Sequence, residues 1–100
     1  MTLPAQTHYL ISGSIPQEMV DTLVRTGHQE QVVQRLLLEG RLVSYALSAD
    51  NGEWWAVCRA ETDFELQLTL TEMPWHRPDQ TRIAPLQQYT SANLGGFSLN

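Results

Sequence analysis

The stretch from Met19 to Trp55 constrains the fold of this chain more than any other part of the sequence. It consists of MVDTLVRTGHQEQVVQRLLLEG, RLVSYALSA, DNG and EWW, which are a helix-length run, a strand-length run, a turn and the start of a second strand. Gly40 follows the helical run, where glycine commonly adopts the positive φ that ends a helix. Asn51-Gly52 between two strand-like runs is a strong β-hairpin signal. The stretch therefore predicts a helix followed by a hairpin.

A single helix is predicted from about Gln17 to Glu39, after Pro16, which suits the start of a helix. Within it Gly27 is a weak interior position that costs ~1 kcal/mol relative to alanine. Four apolar side chains fall within one quadrant of a 3.6-residue helical wheel: Met19, Leu23, Val33 and Leu37. Glu30 falls inside the same quadrant, so we expect its carboxylate to face the sheet on which the helix packs.

Three of the remaining runs are typical of strands. His8–Gly13 contains β-branched and aromatic residues and predicts a first strand. Glu53–Ala60 follows the turn and should place Trp54 and Trp55 on opposite faces. Thr81–Leu86 is predicted to be an edge strand, since Pro85 cannot donate to a β-ladder.

The run Arg41–Ala49, which precedes the turn, is also predicted to be a strand. Strict alternation gives it two faces, one with Leu42, Ser44 and Ala46 and the other with Val43, Tyr45 and Leu47. We expect Tyr45, together with Trp54 or Trp55, on the sheet face that the helices leave uncovered.

The segment TDFELQLTLTEM, residues 62–73, is compatible with two structures. Alternating apolar residues favour a strand: Phe64, Leu66, Leu68 and Leu70. A helix is favoured by the capping box of Thr62 and Glu65 and by the stripe of Leu66, Leu70 and Met73. We favour the helix, which Pro74 would end.

Composition limits the partners of the chain. Six basic and eleven acidic residues give a net charge of -5, and a net acidic surface does not readily bind nucleic acid or an anionic membrane. The N-terminal MTLPAQTHYL lacks a basic n-region, and no run of 18 apolar residues exists, so we expect a cytoplasmic protein. The single cysteine, Cys58, fits a reducing compartment and is interpreted as a structural thiol.

The length of 100 residues predicts one domain, residues 1–89, followed by a C-terminal tail, residues 90–100. Only 17% of the residues are charged, which suggests that another subunit covers part of the apolar surface. We therefore predict self-association as a homodimer or a higher multiple. Phe97 and Leu99 in the tail are expected to dock on a neighbouring subunit.

The predicted order is that of an α+β, ferredoxin-like β-α-β-β-α-β sandwich. Over residues 8–89, the runs QRLLLEGRLVSYAL, EWWAVC and ELQLTLTEMPWHRPDQTRIAPL resemble the muconolactone delta-isomerase family. The resemblance rests on the R-L-x-x-E-G helix end, the E-L-x-x-x-L helix with its following proline, and the closing P-L strand. It implies a dimeric α+β barrel, in which two sheets face each other across a small-molecule pocket.

The chain departs from that family at two places. The family has several ionisable residues in the middle of the first helix, whereas His28-Gln29-Glu30-Gln31 leaves Glu30 as the only carboxylate. The family also has a Trp-Arg pair late in the second strand, where this chain has Ala46-Leu47. The resemblance thus implies the fold and the pocket position, with Glu30 as its one candidate for proton transfer.

Glu30 is the candidate catalytic residue, a proton shuttle whose pKa an apolar wall would raise. Alternatively, Glu30 lies at the rim or pairs with an arginine such as Arg35. Tyr45, Trp54 and Trp55 are candidate ligand-binding residues, although packing alone also accounts for such aromatic side chains.

His76 and Arg77, in the loop that follows Trp75, form a candidate anion-binding pair, with a solvated loop as the alternative. No ligand spacing for a metal and no glycine-rich phosphate loop is found in the sequence, so no metal and no cofactor is expected.

Three functions remain open. The chain could be a dimeric barrel that binds a small metabolite in a pocket between sheet and helix, or a cofactor-independent isomerase that moves a double bond in a lactone-like substrate. The third function is a structural or protein-interaction module whose sheet face is used only for dimerisation.

Overall fold

The computed structural model describes residues 7–90. The elements in this range are β1 (Thr7–Ser14), α1 (Gln17–Thr26), α2 (His28–Leu38), β2 (Leu42–Leu47), β3 (Glu53–Ala60), α3 (Asp63–Thr71) and β4 (Thr81–Leu86), with a 3-10 turn at Pro78–Gln80. The tail that contains Phe97 and Leu99, and the first residues of the chain, lie outside the described residues. No helix between residues 7 and 90 has the length and apolar character needed to cross a bilayer.

The four strands form one antiparallel sheet in the order β2-β3-β1-β4. This α+β architecture is compatible with the predicted ferredoxin-like fold. β4 is an edge strand, as Pro85 predicted, since a residue without an N–H cannot donate to a further strand. The core lies between the sheet and the helices and includes Ile11, Val20, Leu23, Val32, Val33, Leu36, Leu42, Trp54, Ala56, Leu66 and Leu70.

The side chains of β3 alternate between the sheet face that the helices cover and the face that they leave open. Trp54 is 0% exposed and belongs to the core, while its neighbour Trp55 is 40% exposed on the other face. The prediction that the two tryptophans point to opposite faces is confirmed. Leu10, also 40% exposed, lies on β1 opposite Val57 of β3, so apolar side chains are present on the face that the helices leave open.

β2 contains a β-bulge that the alternation of its sequence did not predict. Leu42 pairs with Cys58 and Ser44 with Val57, so two steps along β2 match one step along β3. Val43 is the extra residue, and the bulge moves Leu42 onto the same face as Tyr45. Both side chains therefore face the helices, and the expectation that Tyr45 lies on the open face is wrong.

The predicted single helix from Gln17 to Glu39 is two helices, because the chain turns at Gly27. Gly27 has φ 67° and ψ 11°, the left-handed conformation, and its N–H donates to the Leu23 carbonyl at 3.1 Å. The interruption changes the helical phase, so Gln29 takes the inward position in α2 and Glu30 is exposed. The expectation that Glu30 faces the sheet is therefore wrong.

The ambiguous segment forms the favoured helix, α3. The Thr62 hydroxyl accepts from the Glu65 N–H at 3.1 Å, and the Glu65 carboxylate accepts from the Glu61 N–H at 2.8 Å. The predicted stripe is buried: Leu66, Leu70 and Met73. Phe64 and Leu68, which suggested a strand, are exposed, so the period-two alternation has no structural counterpart.

Candidate functional site

A cleft of about 340 Å³ lies where the α1–α2 junction meets the end of β2 and the hairpin turn. Its volume falls at the lower end of the roughly 300–1,000 Å³ that small-molecule sites occupy. It is lined by Leu23, Val24, Gly27, Gln29, Glu30, Val33, Tyr45, Leu47 and Asn51. The walls are thus mostly aliphatic, with a few polar groups between them.

Gly27 accounts for much of the shape of this cleft. A Cβ added at Gly27 would have no heavy atom within 4 Å, so the space beside the helix junction is open. After the left-handed turn at this residue, Gln29 and Glu30 both line the cleft. Gln29 is buried in its wall, and Glu30 is exposed at its rim. On the opposite side, the turn that contains Asn51 (φ 63°) completes the rim.

The polar centre of the cleft is the pair formed by Gln29 and Tyr45. The Gln29 side-chain amide donates a hydrogen bond to the Tyr45 phenol oxygen. Burial raises the pKa of Tyr45 to about 12, although the hydrogen bond from Gln29 acts in the opposite direction. The phenol is therefore protonated at neutral pH, and its own O–H has no acceptor among the residues that the structure describes, so it can donate to a ligand.

Among the described residues that line the cleft, Glu30 is the only one with a carboxylate side chain. The alternative that it pairs with Arg35 does not hold, because Arg35 is bonded to Glu72 at 2.7 Å and to Glu39 at 3.5 Å. Within residues 7–90 Glu30 takes part in no ion pair. A solvated carboxylate at the rim of an apolar cleft can accept a proton or a hydrogen bond, or attract a cation.

Trp54 lies behind the cleft and not in its lining. The ring centroids of Tyr45 and Trp54 are 6.2 Å apart and nearly stacked, and Trp75 meets the edge of Tyr45 at 6.1 Å. Trp54 and Trp75 are fully buried. These two indoles therefore fix the Tyr45 ring through packing, which holds its hydroxyl at the cleft.

The other three candidate residues lie elsewhere. Trp55 is on the open sheet face. His76 packs edge-on against Trp54 at 6.5 Å, and burial, followed by the charge of Arg77, lowers its pKa. The Arg77 guanidinium donates to the Pro74 and His76 carbonyls, both at 3.0 Å, and lies 2.9 Å from the Met19 sulfur. The structure therefore does not bring His76 and Arg77 to the cleft.

The other depressions on the surface are smaller, are bordered by charges that pair with each other, or contain no buried polar pair. Two of about 190 and 180 Å³ lie on the open sheet face around Trp55. A groove of about 380 Å³ is bordered by Arg41 and Glu72, whose charges pair with each other at 2.8 Å. One of about 460 Å³ along α1 and Pro74 contains His28 but no buried polar pair. No group of three or more His, Cys, Asp or Glu able to hold a metal ion occurs in residues 7–90.

The sequence suggested Glu30 and Tyr45, which the structure brings together, but it missed Gln29, Leu47 and Asn51. Gln29 could have been found by treating Gly27 as a helix end, since α2 then begins with a new phase. Cys58 is buried, and burial raises the pKa of its thiol to about 12, in agreement with a structural role.

In comparisons with known proteins, no family model, no curated protein and no solved structure matches this chain.

Proposed function

We propose that the chain is a small-molecule-binding subunit of a homodimeric α+β barrel that is similar in fold to the muconolactone delta-isomerase family and has its pocket between the sheet and the helices. The observation that carries the proposal is the cleft between helix junction and sheet, where a mostly aliphatic lining surrounds the Gln29–Tyr45 pair and Glu30. An apolar pocket with a few convergent polar groups is the usual form of a metabolite site.

A matched pair of variants tests ligand binding at the cleft. Val24 lines the cleft and is 61% exposed, so Val24→Trp should fill the cleft without disturbing the core. Leu38, on α2 and 86% exposed, provides the control Leu38→Trp. A fragment library screened by NMR should yield ligands for the wild type and for Leu38→Trp, and Val24→Trp should lose them. Equal binding to all three proteins would place the ligand site elsewhere.

The proposed dimer interface is the sheet face opposite the helices. Leu10 and Trp55 are each 40% exposed there and flank Val57, and monomers seldom leave contiguous apolar surface of this kind in water. Light scattering should give twice the chain mass of 11.3 kDa, and Trp55→Glu should dissociate the particle. A particle of 11.3 kDa at micromolar concentration would contradict the dimer.

A second candidate is a cofactor-independent isomerase with Glu30 as the proton shuttle, which the common location of Glu30 and Tyr45 favours. The Glu30 carboxylate would remove a proton from the carbon next to a lactone carbonyl and return it two carbons further along the conjugated system. The Tyr45 O–H would donate to the carbonyl oxygen, on which negative charge develops in the intermediate.

Glu30→Gln tests this second candidate with an enol-lactone substrate. The variant should retain the fold and lose the isomerisation, and Tyr45→Phe should slow the reaction without abolishing it. If the wild type is inactive on enol-lactones, or if Glu30→Gln is as active as the wild type, the isomerase function is wrong while the binding function stands.

A further inference from the structure

The charge distribution in the cleft discriminates between classes of ligand. Nine residues of the described part of the chain line it, and of these Glu30 alone has a formal charge. Three arginines have partners away from the cleft: Arg35 and Arg41 both bond to Glu72, and Arg77 donates to backbone carbonyls. Arg25, in the last turn of α1, does not line the cleft. An organic anion that entered the cleft would lose part of its hydration and meet a carboxylate without a paired cation.

The positive end of the α2 helix dipole does not make the cleft favourable for an anion. A helix N-terminus contributes a positive charge of about half a unit, and Glu30 lies in the first turn of α2 with a full negative charge. The carboxylate therefore more than offsets the helix dipole. Leu23, Val24, Val33 and Leu47 supply the aliphatic walls, and Tyr45 supplies one uncharged donor.

We propose that the cleft selects a small apolar cation, an amine whose hydrocarbon part packs on the aliphatic walls and whose ammonium group lies at Glu30, over a carboxylate of the same size. This inference rests on the proposed ligand-binding function of the cleft. The Tyr45 hydroxyl would donate to an oxygen or to the π face of the same molecule, and Gln29 would hold that hydroxyl in position. The preferred ligand is thus positively charged, whereas an organic acid at neutral pH is negatively charged.

Three probes of nearly equal size test the selection: 2-phenylethylamine, 2-phenylethanol and phenylacetate. Each is titrated into the wild-type protein at low salt and pH 8, and the amide signals of Gly27 and Asn51 are followed by NMR. The amine should bind about five-fold more tightly than the alcohol, the upper end of what an exposed ion pair contributes. The carboxylate should bind most weakly of the three.

Two variants of Glu30 and one control complete the test. Glu30→Gln should remove the difference between amine and alcohol, and Glu30→Lys should reverse the order in favour of phenylacetate. Glu53→Gln, an exposed carboxylate on β3 outside the cleft, should leave the order unchanged.

The outcomes separate the inference from the function on which it rests. If the three probes bind the wild type equally, or phenylacetate binds best, the charge selection is wrong and the ligand-binding function stands. If Glu30→Gln keeps the preference for the amine, the assignment to Glu30 is wrong. If no probe shifts the cleft signals at millimolar concentration, both the selection and the binding function are overturned.

Discussion

The amide of Gln29 donates a hydrogen bond to the phenol oxygen of Tyr45, which joins the start of α2 to the middle of β2. Both residues line the cleft, Gln29 on the helix that also carries Glu30 and Tyr45 on the neighbouring strand. Because Trp54 and Trp75 pack against the Tyr45 ring, the hydroxyl has a defined position relative to Glu30. This hydrogen bond therefore both holds α2 to the sheet and contributes to the proposed site.

A double-mutant cycle should show that Gln29 and Tyr45 interact. Tyr45→Phe leaves a largely buried amide without its partner and should lower the free energy of unfolding by about 1 kcal/mol. Gln29→Met should do the same, and the double variant should cost less than the sum because both partners of the hydrogen bond are then absent. Urea unfolding measures all three. Additive costs would show that the two side chains are not coupled.

Gly27 should respond to substitution as a helix end and not as a helix interior. An alanine there would adopt a left-handed conformation at a cost of roughly 1–2 kcal/mol, while asparagine, which tolerates that conformation, should cost less. No atom lies near the added Cβ, so the loss would come from the backbone alone. Thermal unfolding compares the two variants. Stabilisation by Gly27→Ala would instead indicate one continuous helix through residue 27.

These residues show which parts of the structure the sequence predicted. Local signals were reliable: the Thr62 cap, the Asn51-Gly52 turn, the positive φ of Gly40 and the edge position of Pro85 were each confirmed. The failures came from features that shift the phase of a repeating pattern. A helical wheel continued through Gly27 assigned the inward position to Glu30 when Gln29 occupies it, and simple alternation through Val43 assigned Tyr45 to the wrong face.

The cleft itself was only partly predictable for the same reason. Its lining comes from α1, α2, β2 and the hairpin turn, and their relative positions depend on the helix break and on the bulge. Glu30 and Tyr45 were recognisable as polar residues within apolar runs. Leu47 and Asn51 have no such signal, since an aliphatic residue at a strand end and an asparagine in a turn are common in any hairpin.

Gly13 should not tolerate a side chain, because the indole of Trp54 lies against it. A Cβ at Gly13 would be 2.7 Å from Trp54 Nε1, and Trp54 is fully buried and cannot move freely. Gly13→Ala should therefore cost about 1–3 kcal/mol of stability, as overpacking does. Gly52→Ala, whose Cβ would meet only the end of the flexible Asp50 side chain at 3.3 Å, is the control and should be milder. Equal losses would contradict the packing of Trp54 on Gly13.

Glu72 should contribute a pH-dependent part of the stability. Its carboxylate bonds to Arg41 at 2.8 Å and Arg35 at 2.7 Å, and the hydrogen bond from Arg41 is the largest cause that lowers its pKa below the ordinary 4.5. A lowered pKa in the folded state gives stability that is complete above pH 4.5 and is lost as the pH falls through the folded value. The bridges are partly exposed, so the contribution is at most about 1 kcal/mol.

Glu72→Gln should remove this contribution near pH 7 and flatten the acid limb of the unfolding curve. The matched variant Glu53→Gln, at an exposed carboxylate that forms no ion pair within residues 7–90, should keep the acid sensitivity of the wild type. The effect of Glu72→Gln should shrink in high salt, where surface charges are screened. A loss that is the same at pH 3 and pH 7 would show that Glu72 acts by packing instead of charge.

A crystal structure of the assembled protein, soaked with small-molecule fragments, tests the central claim most directly. We expect two sheets facing each other, with the cleft open in each subunit and a fragment within hydrogen-bonding distance of Tyr45 and next to Glu30. A dimer interface that fills the cleft, or fragments bound only at other surfaces while the cleft stays closed, would contradict the assignment of this site.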